Sequence, residues 1–194
     1  MNRPYIFCHM MTSLDGKIMG DYMGTPEGNA AGNVFYEKPT LDENSDKVPE
    51  GDFIIKADIP MYYVSVDPSG KLGWKSNILH YVDTTAHIIE ILTEKASNSY
   101  KAFLRKLEIP YIITGKDELD YLLAMEKLYK LFDIHTLMLG GGGVLNWSFI
   151  QAGMCDEISV VIAASADGST DTPALFSAQK GLADNKAKSF SLNT

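Results

Sequence analysis

The chain has 194 residues, 45% of them hydrophobic and 22% charged, the balance of one folded domain with a sizeable core rather than of a disordered tail. Its 25 acidic and 17 basic residues leave a net charge of −8, which argues against nucleic acid as a partner because backbone binding needs a basic stripe. No apolar run approaches the roughly 20 residues that cross a bilayer. No signal-like segment precedes the first strand candidate, and Cys8 and Cys155 make no disulfide framework, so the expectation is a cytoplasmic protein with no membrane partner.

In chain order, Tyr5-Ile6-Phe7-Cys8-His9-Met10-Met11 is apolar enough for a central strand. It runs into Thr12-Ser13-Leu14-Asp15-Gly16-Lys17, where Asp-Gly signals a turn. Cys8 and His9 are adjacent rather than ligand-spaced, and His80, His87 and His135 are scattered, so no metal site is expected. Residues 27–36 read as a weak helix that Glu27 opens, and 38–60 as a loop punctuated by Pro39, Pro49, Gly51 and Pro60. Met61–Val66 is a strand candidate, closed by the turn Asp67-Pro68-Ser69-Gly70.

From His87 the pattern is regular. His87–Leu92 predicts a strand. Ser97 caps a helix with Tyr100, Phe103, Leu104 and Leu107 at i, i+3, i+4 and i+7. Pro110–Ile113 predicts the next strand, and Asp117 a cap for a helix with Leu122, Met125, Tyr129 and Phe132 on one face. Thr136–Leu139 is a strand, four glycines follow, and a helix then runs to about Ala152 with Gly153 as its stop. Asp156–Ala164 reads as a strand apolar on both faces through Ile158, Val160, Val161 and Ile162. Strands alternating with helices of this length imply parallel crossovers, an α/β class with helices on both faces of a mostly parallel central sheet.

The turn Gly140-Gly141-Gly142-Gly143 carries the most chemistry. Bare backbone at the C-terminal end of a parallel strand lets a ligand approach, and the following helix aims its N–H groups and positive dipole end at the same spot. A phosphate group suits that place; a tight strand–helix turn with glycines only for packing is the competing explanation. Leu145 stands where a third fingerprint glycine would be, so an ordinary Rossmann fingerprint is disfavoured.

Two segments together resemble a known family. Met11-Thr12-Ser13-Leu14-Asp15-Gly16-Lys17-Ile18 is similar to the opening strand and loop of the C-terminal reductase domain of the riboflavin-biosynthesis deaminase-reductases. Leu139–Phe149 with Gln151-Ala152-Gly153-Met154-Cys155-Asp156-Glu157 resembles that domain's glycine turn, helix and next strand. The resemblance implies a single reductase domain over 1–194 with a dihydrofolate reductase-like fold. It implies NADPH as cofactor, a small-molecule phosphoribosylamino-pyrimidine as substrate, and a homodimer.

Carried over by residue, Gly141, Gly142, Gly143, Val144 and Leu145 would meet the cofactor diphosphate beside Gly140. Thr93, Glu94 and Lys95 would lie near the adenosine, with Lys95 and Ser97 placed for a 2′-phosphate. Asp15 would be the catalytic carboxylate beside nicotinamide and sugar, able to orient or protonate a group there, with Ser13 and Gly16 beside it in the substrate set; Glu27 joins that set as the acidic first-helix residue with which a pterin reductase engages the pteridine ring. Asp15 is equally readable as a plain Asp-Gly turn residue, and Glu27 as a helix-start residue favoured by the dipole.

The sequence departs from the family in three places. Gly140 replaces its glutamate. A family strand and cofactor loop near 36–38 is expected to be absent, and so is a closing strand after Ser191-Leu192-Asn193-Thr194. Arginine is scarce for holding a sugar phosphate: Arg3 is near the start and Arg105 is expected on a solvated helix face, leaving Lys17, Lys56 or Lys71 as point charges. Trp74 and Trp147 read as packing residues, with Trp147 able to line the cofactor cleft. A dihydrofolate or pterin reductase is the enzyme alternative, against which the first loop lacks a Pro-Trp pair. A non-catalytic dinucleotide-binding module is the other.

Overall fold

The computed structural model describes residues 2–18, 38–41, 48–81, 83–178 and 186–191. The helix expected at 27–36, with Glu27, lies outside them, as do residues 36–37 of the strand expected to be missing. The described elements in chain order are β1 (Tyr5–Thr12), β2 (Tyr62–Val66), β3 (Ile78–Tyr81), β4 (Thr84–Leu92), α1 (Asn98–Lys106), β5 (Tyr111–Ile113), α2 (Tyr121–Phe132), β6 (Thr136–Leu139), α3 (Gly143–Gln151) and β7 (Glu157–Ile162). They form two compact units, one holding the elements β2 to α2 and the other holding β1, β6, α3 and β7. Four of the five strand pairings are parallel, and the class is α/β as the alternation predicts.

In the first unit β4 is central. β2 runs parallel along it through Tyr62↔His87 to Val66↔Ile91. The opposite edge is shared by β3, antiparallel to residues 84–87, and β5, parallel to residues 90–92. The β3–β4 hairpin is new: β4 begins three residues before His87. Its signal was present as two β-rich runs, Ile78–Tyr81 and Thr84–Leu92, separated by two residues.

Trp74, Ile88, Leu92, Ala96, Tyr100, Leu104, Ile109 and Tyr111 make the core against one face, and full burial of such a side chain contributes about 1.5–3 kcal/mol. Ser97 caps α1 as expected, accepting from the Tyr100 N–H at 3.1 Å. The turn at 67–70 also forms, and Gly70 is required there: its φ is +69°, and a Cβ would fall 2.4 Å from the Tyr100 ring.

Two helix details differ from expectation. Asp120, not Asp117, caps α2 by accepting from Leu123 N–H at 2.9 Å. The Asp120 N–H reaches back to the Thr114 carbonyl, so residues 115–119 form a closed loop and the helix starts after it. The buried face of α2 is Ala124, Met125, Leu128 and Phe132, while Leu122 faces solvent. Arg105 is not on a solvated face. It lies 4.4 Å over the Phe53 ring and its Nε–H donates to the Tyr111 hydroxyl at 2.9 Å. Phe53 in turn exchanges both backbone hydrogen bonds with Tyr111, which ties the described part of the long 38–60 loop to β5.

In the second unit β1 lies between β6 and β7, both parallel to it. Ile6, Cys8 and Thr12 point inward, and Tyr5, His9 and Met11 outward. Burial pushes the Cys8 thiol up to about 11, consistent with an unreactive strand residue. The last strand differs from expectation. Among the described residues β7 is an edge strand, and Val160, Val161 and Ile162 are 40%, 50% and 63% exposed rather than buried on both faces.

Candidate functional site

Because β1, β6 and β7 are parallel, their C-terminal ends share one end of the sheet, the place where ligands bind in open α/β sheets. Three segments leave there: 13–18 after β1, the glycine turn after β6, and the stretch after Ile162. The segments are knitted together. Leu14 N–H donates to Ser165 C=O, Leu175 N–H to Gly16 C=O, and Ser177 N–H to Gly143 C=O. The structure thus brings Ser13, Asp15 and Gly16 to the same sheet end as Gly140–Leu145.

Asp15 sits in the Ser13–Gly16 turn, where Gly16 has a φ of +76°. The Ser13 hydroxyl donates to its Oδ1 at 2.6 Å, Asp167 N–H to Oδ1 at 3.1 Å and Gly168 N–H to Oδ2 at 2.8 Å. The Ser13 hydroxyl first, then those two backbone donors, hold the carboxyl well below the usual carboxylate range. A group held this firmly as an anion is a poor proton donor near neutral pH. Its remaining chemistry is that of a hydrogen-bond acceptor and a negative charge. Lys17, two residues on, reaches the Thr172 carbonyl at 3.3 Å.

The four glycines differ in what requires them. None has positive φ, so left-handed backbone is not the reason. A Cβ on Gly143 would lie 2.2 Å from the Ala174 carbonyl oxygen, and one on Gly141 would lie 2.5 Å from the Leu145 side chain. Those two are packing glycines. Among the described residues Gly142 has nothing within 4 Å of its Cβ position, and Gly140 only the tip of Met138 at 3.9 Å. Gly142 is the N-cap of α3 (φ −71°, ψ 169°) with no side-chain cap bond, and no acidic residue occupies the first turn. The helix start therefore offers backbone N–H groups and a positive dipole end over bare, exposed chain. Val144 is exposed and Leu145 half-buried beside it.

The first unit has its own set of parallel strand ends, those of β2, β4 and β5. Thr93 is buried, with its hydroxyl and N–H both donating to Pro68 C=O at 2.7 and 3.0 Å, so any open contact there falls to its exposed neighbours Glu94 and Lys95. Lys95 is 3.7 Å from Asp117, an exposed pair worth little. Ser97 Oγ is engaged in capping α1. Beside these ends lies a cavity of about 610 Å³ lined by Glu50, Asp52, Glu94, Asn98, Lys101 and Lys127 among others. Lys127 is fixed in it, donating to Asp52 at 2.9 Å and to Ile113 C=O at 2.8 Å. Asp52 also accepts from Ile113 N–H at 2.8 Å. The volume falls within the range of small-molecule sites.

Sequence reasoning missed a buried acid. Glu90, in mid-β4, is wholly buried; burial first, then the neighbouring Asp67, pushes its carboxyl well above the usual range. Its Oε1 accepts from the Trp74 indole N–H, so Trp74 does more than pack. A charged residue inside an apolar run was the only signal. No group of metal-binding side chains occurs among the described residues, and no helix there is long and apolar enough to cross a membrane.

Residues 56–192 match the family described as the RibD C-terminal domain. A curated relative, the 2,5-diamino-6-ribosylamino-4(3H)-pyrimidinone 5′-phosphate reductase of Methanothermobacter thermautotrophicus, is 27% identical over 188 residues, covering 89% of this chain and 83% of its own. The solved structure of a pyrimidine reductase-like protein from Corynebacterium diphtheriae superposes with a TM-score of 0.59 at 12% identity, over 96% of this chain and 84% of the other. That likeness shows the fold, which is the dihydrofolate reductase-like one of the pyrimidine reductases. With a family match over more than two-thirds of its length, a glycine turn at a parallel strand end and a pyrimidine reductase as relative, the chain belongs to the RibD C-terminal domain family and is a reductase of the riboflavin-biosynthesis type.

Proposed function

We propose that this reductase uses NADPH and passes hydride to the sugar of a ribosylamino-pyrimidine 5′-phosphate, the substrate class in the name of the Methanothermobacter relative. The observation that carries the reading is the start of α3 beneath Gly140 and Gly142, without a side-chain cap and with two glycines that no contact among the described residues requires. A diphosphate fits that backbone cradle. NADPH, when bound, supplies the hydride. The N–H groups of Gly143, Val144 and Leu145 are proposed to hold its diphosphate and Gly140–Gly142 to let it approach. Glu94 and Lys95 are proposed to meet its adenosine end, in a chain that works as one reductase domain.

Ser13, Asp15 and Gly16 are assigned to the sugar. Asp15, kept anionic by Ser13 and the 167–168 backbone, is proposed to accept a hydrogen bond from a sugar hydroxyl and to balance positive charge that develops beside the hydride acceptor. Lys17 is a candidate for the substrate phosphate as a point charge.

NADPH is expected to bind more tightly than NADH, because Lys95, one of the two residues proposed for the adenosine end, is a cation that a 2′-phosphate would favour. Glu94 on the same turn opposes this, since its carboxylate would favour a free 2′-hydroxyl. Parallel fluorescence titrations of the two cofactors measure which side chain dominates; equal or tighter NADH binding overturns the NADPH assignment. Turnover on the phosphoribosylamino-pyrimidine then tests the substrate.

A homodimer in the cytoplasm completes the proposal. The exposed Val160-Val161-Ile162 edge of β7 supports the dimer, because such an edge invites a second chain. Light scattering at micromolar concentration is expected to give twice the 21.4 kDa chain mass, and a clean monomer would count against it.

A further inference from the structure

Asn146, in α3 just past the glycine turn, is 0% exposed, and its amide is only half used. Nδ2–H donates to the Leu175 carbonyl at 3.4 Å, while Oδ1 has no partner among the described residues. A buried acceptor without a donor works against the fold, so an apolar side chain would serve packing here at least as well. What the amide supplies, and an apolar side chain does not, is the donor to Leu175.

Leu175 is the crossing point of the segment that follows β7. Its N–H donates to Gly16 C=O at 3.0 Å and its C=O takes the Asn146 amide, so the two backbone groups of one residue face the two turns of the site. On the β7 side of it, Pro173 C=O accepts from Ile18 N–H at 3.0 Å, and the Asp167 and Gly168 N–H groups close on the Asp15 carboxylate at 3.1 and 2.8 Å. On the other side, Phe176 lies against the Trp147 ring, 6.1 Å between centroids, and Ser177 N–H reaches Gly143 C=O at 3.0 Å. Asp167 folds the stretch between, accepting from Ser169 N–H and the Thr172 hydroxyl, both at 2.9 Å. Residues 165–177 are thus a strap with the Asp15 turn along one part and the start of α3 along the other.

We propose that Asn146 is a positioning residue for Asp15: by holding the Leu175 carbonyl against α3 it sets the strap, and the strap sets where the Asp15 carboxylate stands relative to the glycine turn. The link to turnover rests on the reading above that the glycine turn takes the diphosphate and Asp15 the sugar. Asn146 is buried away from both ligands, so its effect is geometric, and a misplacement of about 1 Å between reacting groups can cost about 10²-fold in rate. Without the donor, Leu175 keeps its bond to Gly16, and the strap follows the Asp15 turn instead of bridging to the helix. The N–H groups of Gly143, Val144 and Leu145 belong to α3 itself, so the diphosphate cradle stays.

The test begins with cofactor-free protein and amide hydrogen exchange resolved by residue. In Asn146→Ala the N–H groups of Leu175, Asp167 and Gly168 are expected to exchange on the order of tenfold faster than in the parent, with those of the β1–β6 pairing unchanged. Faster exchange confined to Leu175, or spread evenly over both sets, overturns the strap. Turnover on the ribosylamino-pyrimidine phosphate follows. Asn146→Ala is expected to lower kcat on the order of tenfold and to keep the NADPH Kd within about twofold. An unchanged kcat, or an affinity that falls as far as kcat, overturns the proposal.

The Asp15→Asn background separates positioning from general loosening. A residue that acts through Asp15 has little left to lose there, so adding Asn146→Ala should lower turnover by less than about twofold. A second full drop means that the two residues act independently, and the proposal falls. If Asn146→Ala does not fold, Asn146→Ser replaces it in every arm, since the shorter hydroxyl turns back to its own helix and leaves Leu175 unheld. If the parent binds no NADPH or turns over no such substrate, the functional reading fails, and the cofactor-free exchange result alone decides whether Asn146 positions Asp15.

Discussion

Gly142→Val is expected to weaken NADPH binding at least tenfold, about 1.4 kcal/mol, while leaving the protein folded. The backbone at Gly142 is extended, a conformation valine adopts readily, and an added Cβ meets no atom of the described residues within 4 Å. The cost to the protein is confined to a poorer N-cap residue on α3. A diphosphate seated on the helix start would meet the branched side chain directly. Gly143→Ala provides the contrast. Its Cβ would press on the Ala174 carbonyl at 2.2 Å, so that variant should lose stability first and binding only as a result. Thermal melts beside fluorescence titrations separate the two. A Gly142→Val protein that melts and binds like the parent would reduce the whole turn to a packing device.

The contrast between Gly142 and Gly143 also marks how far the sequence could be read. Four glycines after an apolar strand announce a bare strand–helix turn, and that much follows from local chemistry. Which glycine faces solvent and which faces the 174–177 segment depends on residues more than thirty positions away, and no local pattern encodes that. The same division holds across the fold. Ser97 capping α1 and the turn at 67–70 are set by neighbours within four residues, and both were legible. The α2 cap was not, because Asp117 and Asp120 are equivalent until the Thr114 carbonyl chooses between them.

Burial was the harder quantity. Val160-Val161-Ile162 has the composition of a central strand, but composition does not say which strand ends a sheet. Arg105 falls on the outer arc of an amphipathic helix by periodicity, and only the return of Phe53 and Tyr111 to its side makes it a stacked, hydrogen-bonded group. Glu90 was hidden for the opposite reason. In the run Ile88–Leu92 it is the one residue that breaks the apolar strand pattern, and its hydrogen-bond donor Trp74 comes from sixteen residues earlier.

At the candidate site, Asp15 was picked out by its Asp-Gly turn and by resemblance. The structure adds the constraint that decides what chemistry it can perform. Asp15→Asn is expected to lower turnover on the order of 10²-fold with NADPH affinity nearly unchanged. The carboxylate has lone pairs beyond those taken by Ser13, Asp167 and Gly168, so it can still accept a hydroxyl from a sugar. Its charge is fixed near the sheet end and would be felt most when positive charge develops on the substrate, which places the loss in turnover rather than in cofactor binding.

The same geometry makes a second, structural demand. Asparagine keeps one acceptor oxygen and turns an NH₂ toward backbone N–H groups of the 167–168 turn, so that turn should loosen whatever the catalytic role. Steady-state kinetics with a melting curve on the same sample distinguishes the effects. A drop in melting temperature with full turnover identifies Asp15 as a loop staple. The pH profile gives an independent check. A carboxyl held below its ordinary range contributes its stabilisation above about pH 4 and loses it only as the pH falls further, so Asp15 should add no ionisation to the turnover profile near neutrality. An acid limb near pH 6 that vanished in Asp15→Asn would mean the residue titrates as a general acid, and the anionic role argued from its three donors would be wrong.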